Sequence, residues 1–259
     1  RCNKRNDLEG GSNMNRRGQF VWHDLMTSEI DKVAPFYGKL CGWEIQHQGQ
    51  WVLIVNNGKD QGTVMTTPPG APAGWIGYVL VDDVAAAGQR AERQGGRMCT
   101  PPRDIPNIGR FSVLQDREGA TITAFSYAGT EPDKAGDPPV GAFCWNEIMT
   151  RDPQGAAAFY SEVFGWTPVA MDMGEFGTYT VFQADGQRVA GAMAMPKEVP
   201  AAAPAHWLHY IHHANVDAGC EEAQRLGGQV LHPPMSIPGV GRFASLRDPA
   251  GAVFALFTP

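Results

Sequence analysis

The sequence predicts an α+β protein built from two tandem copies of one module, each copy a pair of βαβββ units. Three observations carry this. GQFVWHDLMTSEIDKVAPFYGKLCGWEI, from Gly18 to Ile45, recurs as GAFCWNEIMTRDPQGAAAFYSEVFGWTP, from Gly141 to Pro168, at a spacing of 123. WIGYVLVDDVAAAGQRAERQGGR (Trp75 to Arg97) and IPNIGRFSVLQDREGATITAF (Ile105 to Phe125) recur from Trp207 and from Ile237 at a spacing of 132. So long a period exceeds any solenoid repeat and implies two complete domains. The offset grows by nine residues, which places the extra chain between Pro168 and His206. Finally, within each copy the signals run strand, helix, short strands, and then the same order again.

The elements of copy one follow in order. Phe20 to Met26 reads as a strand, and Ser28 to Leu40 as a helix with a serine cap and Glu29 and Asp31 in its first turn. Ile45 to Gln48, Trp51 to Asn56 and Thr63 to Thr66 read as short strands, the first two joined by a turn at Gly49. Trp75 to Val81 opens the second half, and Asp83 to Gln94 is its helix, ended by Gly95-Gly96. Arg110 to Gln115 and Ala120 to Tyr127 then pair through the turn from Asp116 to Gly119. EPDKAGDPP, with three prolines and four charges, marks a solvated connector. The expected organisation is an arm over 1–17, module 1 over 18–129, a linker over 130–139 and module 2 over 140–259.

Composition fits two domains of ordinary size, each able to bury its own core. At 43% hydrophobic residues, and with no apolar run near the length of a membrane span, no such span is expected. A formal charge of -6, without a Lys/Arg cluster beyond the opening segment, argues against nucleic acid as a partner. Five cysteines, none in a CxxC pair, suit reduced cytosolic thiols. The polar opening segment lacks the apolar core of a signal peptide, and Met14 is a candidate natural start.

This order of elements, with the phrases FYGKLCGW, VDDVAAAGQRAERQGG and LQDREGATI repeated in sequence, resembles the vicinal oxygen chelate superfamily. That superfamily includes glyoxalase I, bleomycin-resistance proteins and extradiol dioxygenases. The resemblance implies paired βαβββ units curled into an incomplete barrel around a cleft. It also implies a divalent metal held by His, Gln or Glu on the first, fifth and eighth strands. In this chain those slots fall at Trp22, Ile76 and Thr123 in module 1, and at Trp145, Leu208 and Ala255 in module 2. Indole and aliphatic side chains offer a metal no lone pair, so no metal or other cofactor is expected. A register one residue later on the fifth strand would bring in His209. If module 2 held a displaced divalent ion, Glu147 with His209 or His212 would be its ligands.

Strand alternation indicates what lines the cleft instead. With Trp22 inward, Phe20 and Asp24 are inward and His23 outward; Trp145 and Glu147 repeat the pattern, with Asn146 outward. Tyr78 and Tyr210 share the parity of the vacant fifth-strand slots, and His212 lies on the same face as Tyr210. The candidate ligand-binding set is therefore Trp22, Asp24, Tyr78, Trp145, Glu147, Tyr210 and His212. The functional reading is an aromatic wall with a carboxylate that orients a polar or cationic ligand. The structural alternative makes the tryptophans core and lets the carboxylates accept backbone N–H or tyrosine O–H bonds.

HWLHYIHH, from His206 to His213, has no HxH pair with a fixed third partner, and solvated or interface histidines are the simpler reading. NIGR and GVGR are strand-entry turns, since a phosphate loop would need a following helix. Cys41 and Cys144 sit in apolar surroundings where thiols are inert. Two function classes fit: a metal-independent small-molecule binding protein, or a glyoxalase-, dioxygenase- or hydroxylase-type enzyme using a displaced metal or Asp24/Glu147 as general base. A homodimer is compatible with either.

Overall fold

The computed structural model describes residues 16–129, 136–174, 177–196, 199–200 and 203–259. Most of the expected N-terminal arm and linker residues 130–135 lie outside them. In module 1 the order is β1 (Phe20–Met26), α1 (Ile30–Cys41), β2 (Glu44–Gln48), β3 (Trp51–Asn56), β4 (Lys59–Met65), β5 (Gly74–Leu80), α2 (Val84–Arg93), β6 (Arg97–Ile105), β7 (Gly109–Gln115) and β8 (Thr121–Tyr127). Module 2 repeats it as β9 (Phe143–Thr150), α3 (Pro153–Phe164), β10 (Thr167–Asp172), β11 (Thr178–Ala184), β12 (Gln187–Ala194), β13 (His206–His212), α4 (Val216–Arg225), β14 (Gln229–Ile237), β15 (Gly241–Arg247) and β16 (Val253–Thr258). Each module is one open eight-stranded sheet, ordered β2-β3-β4-β1-β5-β8-β7-β6 and β10-β11-β12-β9-β13-β16-β15-β14. The two βαβββ units meet where β1 pairs antiparallel with β5 and where β9 pairs antiparallel with β13.

Local chemistry accounts for the ends of the elements, with one correction. In α2, Asp83 caps as expected, its carboxylate accepting the Ala86 N–H at 3.0 Å. α1 starts later than expected, at Ile30; Glu29 holds the cap position without a side-chain bond, and it is the Thr27 hydroxyl that accepts the Glu29 N–H. Gly42 ends α1 in the left-handed conformation that a glycine reaches without steric cost. β6 went unforeseen because Pro101 and Pro102 interrupt its pattern; as a sheet-edge strand it tolerates them, with register shifts against β7.

The core differs from the expectation of one core per module. Val33, Phe36, Tyr37 and Leu40 form the apolar stripe of α1 at helical spacing, yet they bury against Val216, Ala223 and Phe254 of module 2. The reciprocal cluster joins Ala87, Leu114 and Ile122 of module 1 to Phe159, Tyr160 and Trp166 of module 2. Each of the two clusters is thus shared between the modules, with helices of both contributing to it. The helix-bearing faces therefore pack against each other.

Polar bonds follow the same pseudo-twofold pattern. The Tyr37 hydroxyl donates to Asp248 at 3.1 Å and accepts the Trp75 indole N–H at 3.1 Å. Its counterpart Tyr160 donates to Asp116 at 2.9 Å and accepts from Trp207 at 3.1 Å. Trp43 donates to the Gly141 carbonyl and Trp166 to the Gly18 carbonyl. The repeated FY, GW and turn-aspartate residues are thus among the contacts between modules.

Candidate functional site

Beyond the helix-covered face, each sheet has a second face, and this one carries the candidate site. On β1, Leu25 enters the helix-side core and His23 the module junction, so Trp22 and Asp24 point to the opposite, cleft side. Phe20, expected beside them, is turned by a register shift between Phe20 and Trp22 to the junction, where it stacks on His23 and packs against Trp207. Pairing brings Tyr78 of β5 beside Trp22, Ile76 beside Asp24, and Thr63 of β4 beside Asp24 on its other flank. The Asp24 carboxylate accepts the Tyr78 hydroxyl at 2.5 Å and the Trp22 indole N–H at 3.0 Å; Trp22 also reaches the Thr63 hydroxyl at 2.9 Å. Thr63 adds hydrogen bonds from its hydroxyl and its backbone N–H.

Asp24 is only 6% exposed, and desolvation pushes its carboxyl from 3.8 up to about 6 despite the bonds that favour the ion. The Tyr78 hydroxyl is raised as well, by burial and then by the Asp24 charge, and stays protonated as a donor.

Module 2 places Trp145, Glu147 and Tyr210 on the same face with different wiring. Glu147, 5% exposed, accepts the Tyr210 hydroxyl at 3.1 Å and is also bonded by Tyr179 of β11. The Trp145 indole donates to Tyr179 at 2.8 Å and not to the carboxylate. Desolvation again raises the Glu147 carboxyl, outweighing both tyrosine bonds. Leu208, Tyr210 and Ala255 form a small buried cluster here with Trp145 and Phe257 packed on it.

Six of the seven residues singled out from sequence thus gather into two triads, Trp22–Asp24–Tyr78 and Trp145–Glu147–Tyr210. His212 joins neither: its Nδ1 lies 2.8 Å from the Pro138 carbonyl, at the strand end beside the linker. His209 lies on the other face of β13, fully buried, where its Nδ1–H and the Nε2–H of His23 both donate to Asn146 Oδ1, at 2.7 and 2.9 Å. The structure therefore does not bring Glu147 together with His209 or His212. Burial lowers His23 to about 4 and His209 well below its usual value, so both are neutral.

Sequence reasoning missed Thr63 and Tyr179. Tyr179 aligns with Trp51 at a spacing of 128, a value intermediate between 123 and 132 because part of the extra chain precedes β11 and part follows β12.

The slots that hold a divalent metal in related folds do not fit one here. Ile76, Leu208 and Ala255 have no donor atom, Trp22 and Trp145 present N–H groups already donated to oxygen, and Thr123 alone offers a hydroxyl. Among the described residues no three His, Cys, Asp or Glu converge. Two surface concavities, of about 180 and 220 Å³, lie elsewhere, at the N-terminal ends of α3 and α1 beside turns of the opposite module. Their lining consists mainly of turn residues and helix ends, whereas the buried, charge-bearing triads lie on the other faces of the sheets.

The profile of the Glyoxalase/Bleomycin resistance protein/Dioxygenase superfamily matches residues 19–123 and again 143–256. "Putative glyoxylase CFP32" of Mycobacterium tuberculosis is 34% identical over 254 residues, spanning 94% of this chain and 96% of its own length. "Anthracycline biosynthesis protein DauV" of Streptomyces sp. (strain C5) is 29% identical over 260 residues, 92% of each chain. Among solved structures, the Mn(II)-bound glyoxalase from Novosphingobium aromaticivorans superposes with a TM-score of 0.64 at 15% identity, over 94% of this chain and 82% of that one. The 2,2',3-trihydroxybiphenyl 1,2-dioxygenase of Sphingomonas wittichii strain RW1 gives 0.62 at 13% identity, over 94% and 91%. At such identities these two share the fold and nothing more specific. Among the described residues no helix is long and apolar enough to cross a membrane.

Proposed function

The chain belongs to the glyoxalase/bleomycin resistance protein/dioxygenase superfamily, and on that premise we propose that it binds a planar, partly cationic organic molecule on its cleft face without the superfamily's usual metal. The observation that carries this reading is the recurrence of a buried carboxylate under a tryptophan and a tyrosine in both modules, at matching strand positions. Ionised, such a carboxylate opposes folding, so a role beyond the fold accounts for its presence twice. Stacking on indole and phenol faces contributes about 0.5–1.5 kcal/mol, and a cation over such a ring about 0.5–2 kcal/mol. A buried anion beneath the rings adds attraction for the cation and repels phosphates and dicarboxylates. An anthracycline is such a molecule, and relatives named for anthracycline biosynthesis accord with this ligand class.

A second reading rests on Asp24 itself. With a carboxyl at about 6 and a tyrosine hydroxyl 2.5 Å away, it has the poise of a general base near neutral pH.

The test is a tryptophan-fluorescence screen of cationic, neutral and anionic aromatics against untagged protein whose metal content has been measured. Cationic aromatics should be the hits, and Asp24→Asn should weaken them about tenfold, the equivalent of one cation–π contact. Unchanged affinity in both Asp24→Asn and Glu147→Gln, or a stoichiometric metal lost on mutating cleft residues, would overturn the proposal.

A further inference from the structure

The two triads are built alike but not left equally open. Opposite Asp24, β4 carries Thr63; at the matching place opposite Glu147, β12 carries Gly191. A Cβ on Gly191 would stand 1.9 Å from the Tyr179 hydroxyl oxygen and 2.4 Å from its ring carbon Cζ. Tyr179 therefore occupies the volume that the Thr63 side chain fills in module 1, and only glycine admits it.

Its hydroxyl also takes the partners that the Thr63 hydroxyl has in module 1, accepting the Trp145 indole N–H and bonding Glu147. The floor around it is covered: Leu208 is 6% and Tyr210 7% exposed, whereas their counterparts Ile76 and Tyr78 are both half-buried. Module 1 has Trp51 at the position of Tyr179, half-buried, and Thr123 at that of Ala255. Trp22 and Trp51 are half-buried, as are Trp145 and Tyr179. The difference between the clefts therefore lies in the partly exposed Ile76 and Tyr78 and in the threonines, themselves buried, that module 2 has exchanged for glycine and alanine.

We infer that the clefts have divided roles: module 1, through Trp22, Asp24, Tyr78 and Thr63, takes the organic ligand, and module 2 is closed to it by the Tyr179 side chain seated on Gly191. The inference rests on the ligand reading above and adds to it which site operates and which residue shuts the other. Module 2 then serves chiefly to complete the shared cores that hold module 1 in shape.

Doxorubicin, a planar tetracyclic quinone bearing an ammonium group, is the probe, with anthraquinone-2-sulfonate as the anionic control. Full-length protein is titrated by calorimetry and by NMR of the indole N–H resonances, with those of Trp22 and Trp145 assigned from Trp22→Phe and Trp145→Phe. The expected result is about one doxorubicin per chain and a shift of the Trp22 resonance, that of Trp145 staying still. Tyr179→Ala should open the second cleft, so that about two bind and the Trp145 resonance moves as well. Should Tyr179→Ala fail to fold, the wild-type resonances decide alone. A wild-type protein in which Trp145 shifts, or which binds two molecules equally, overturns the division of roles while upholding the ligand reading. Binding of neither probe at either indole overturns both.

Discussion

Replacing Asp24 by asparagine should make the protein more stable at neutral pH. Burial lifts the carboxyl from 3.8 to about 6. By linkage the ionised group therefore costs the folded state about 3 kcal/mol at neutral pH. The sign follows from proton binding: between the two values the folded chain holds the proton and the unfolded chain has released it. This contribution to stability is fully present below pH 3.8 and is lost as pH rises through about 6. Asparagine removes the charge but keeps only one carbonyl acceptor for the donors Trp22, Tyr78 and Thr63, at the loss of one or two hydrogen bonds, about 0.5–1.5 kcal/mol each. The variant should thus exceed the parent by roughly 0.5–2.5 kcal/mol at about pH 7.5, with the difference closing towards about pH 4. Urea denaturation followed by circular dichroism across that range measures it directly, because the slope is unchanged when only stability differs. A variant less stable than the parent by about 1 kcal/mol or more at pH 7.5 would show the carboxylate to be a structural anchor and refute the reasoning.

Two other outcomes are expected. Tyr37→Phe or Tyr160→Phe removes a hydroxyl that links Asp248 to Trp75, or Asp116 to Trp207, across the module junction, and each should cost about 1–3 kcal/mol by leaving buried polar groups unpaired; denaturation curves unchanged within about 0.5 kcal/mol would dissolve the proposed clasp. His23, lowered to about 4 by burial, is neutral in the fold, so its contribution is present above its unfolded value of 6.5 and is lost as pH falls towards 4, by about 3 kcal/mol. His23 faces His209 and Asn146 and stacks on Phe143 at 3.8 Å, so His23→Gln keeps an amide near Asn146 and should flatten the acid limb of the stability profile; an equally steep limb would assign the acid sensitivity to other groups.

What the sequence by itself determined is what depends on local repetition. Duplication of GQFVWHD as GAFCWNE, and of the later segments, placed matching strands and helices in both copies. Alternation from Trp22 to Leu25 put Trp22 and Asp24 on one face and His23 on the other, because successive side chains of a regular strand change face. It failed for Phe20, which a register shift between Phe20 and Trp22 turns to the face of His23. The misplaced cap at Ser28 and the unread β6 failed for local reasons too: a hydroxyl one residue earlier took the N–H, and prolines broke a pattern that an edge strand tolerates.

Only the tertiary structure decided which partner each side chain meets. The apolar stripe of α1 is visible as a stripe, but its complement is α4 and β16 of the other module, and Tyr37 finds Asp248 across 211 residues of chain. No periodicity encodes such a pairing; it is set by which residues the packed modules bring together. Tyr179 escaped notice because extra residues before β11 shift it to a spacing of 128, outside both repeats read from sequence. Its role emerges where β11 crosses Gly191 and a phenol stands in the space of a missing side chain. Likewise the sequence could place a carboxylate beside a tryptophan twice, but the strength with which each is desolvated, and so its readiness to hold or lose a proton, is set by the packing around it.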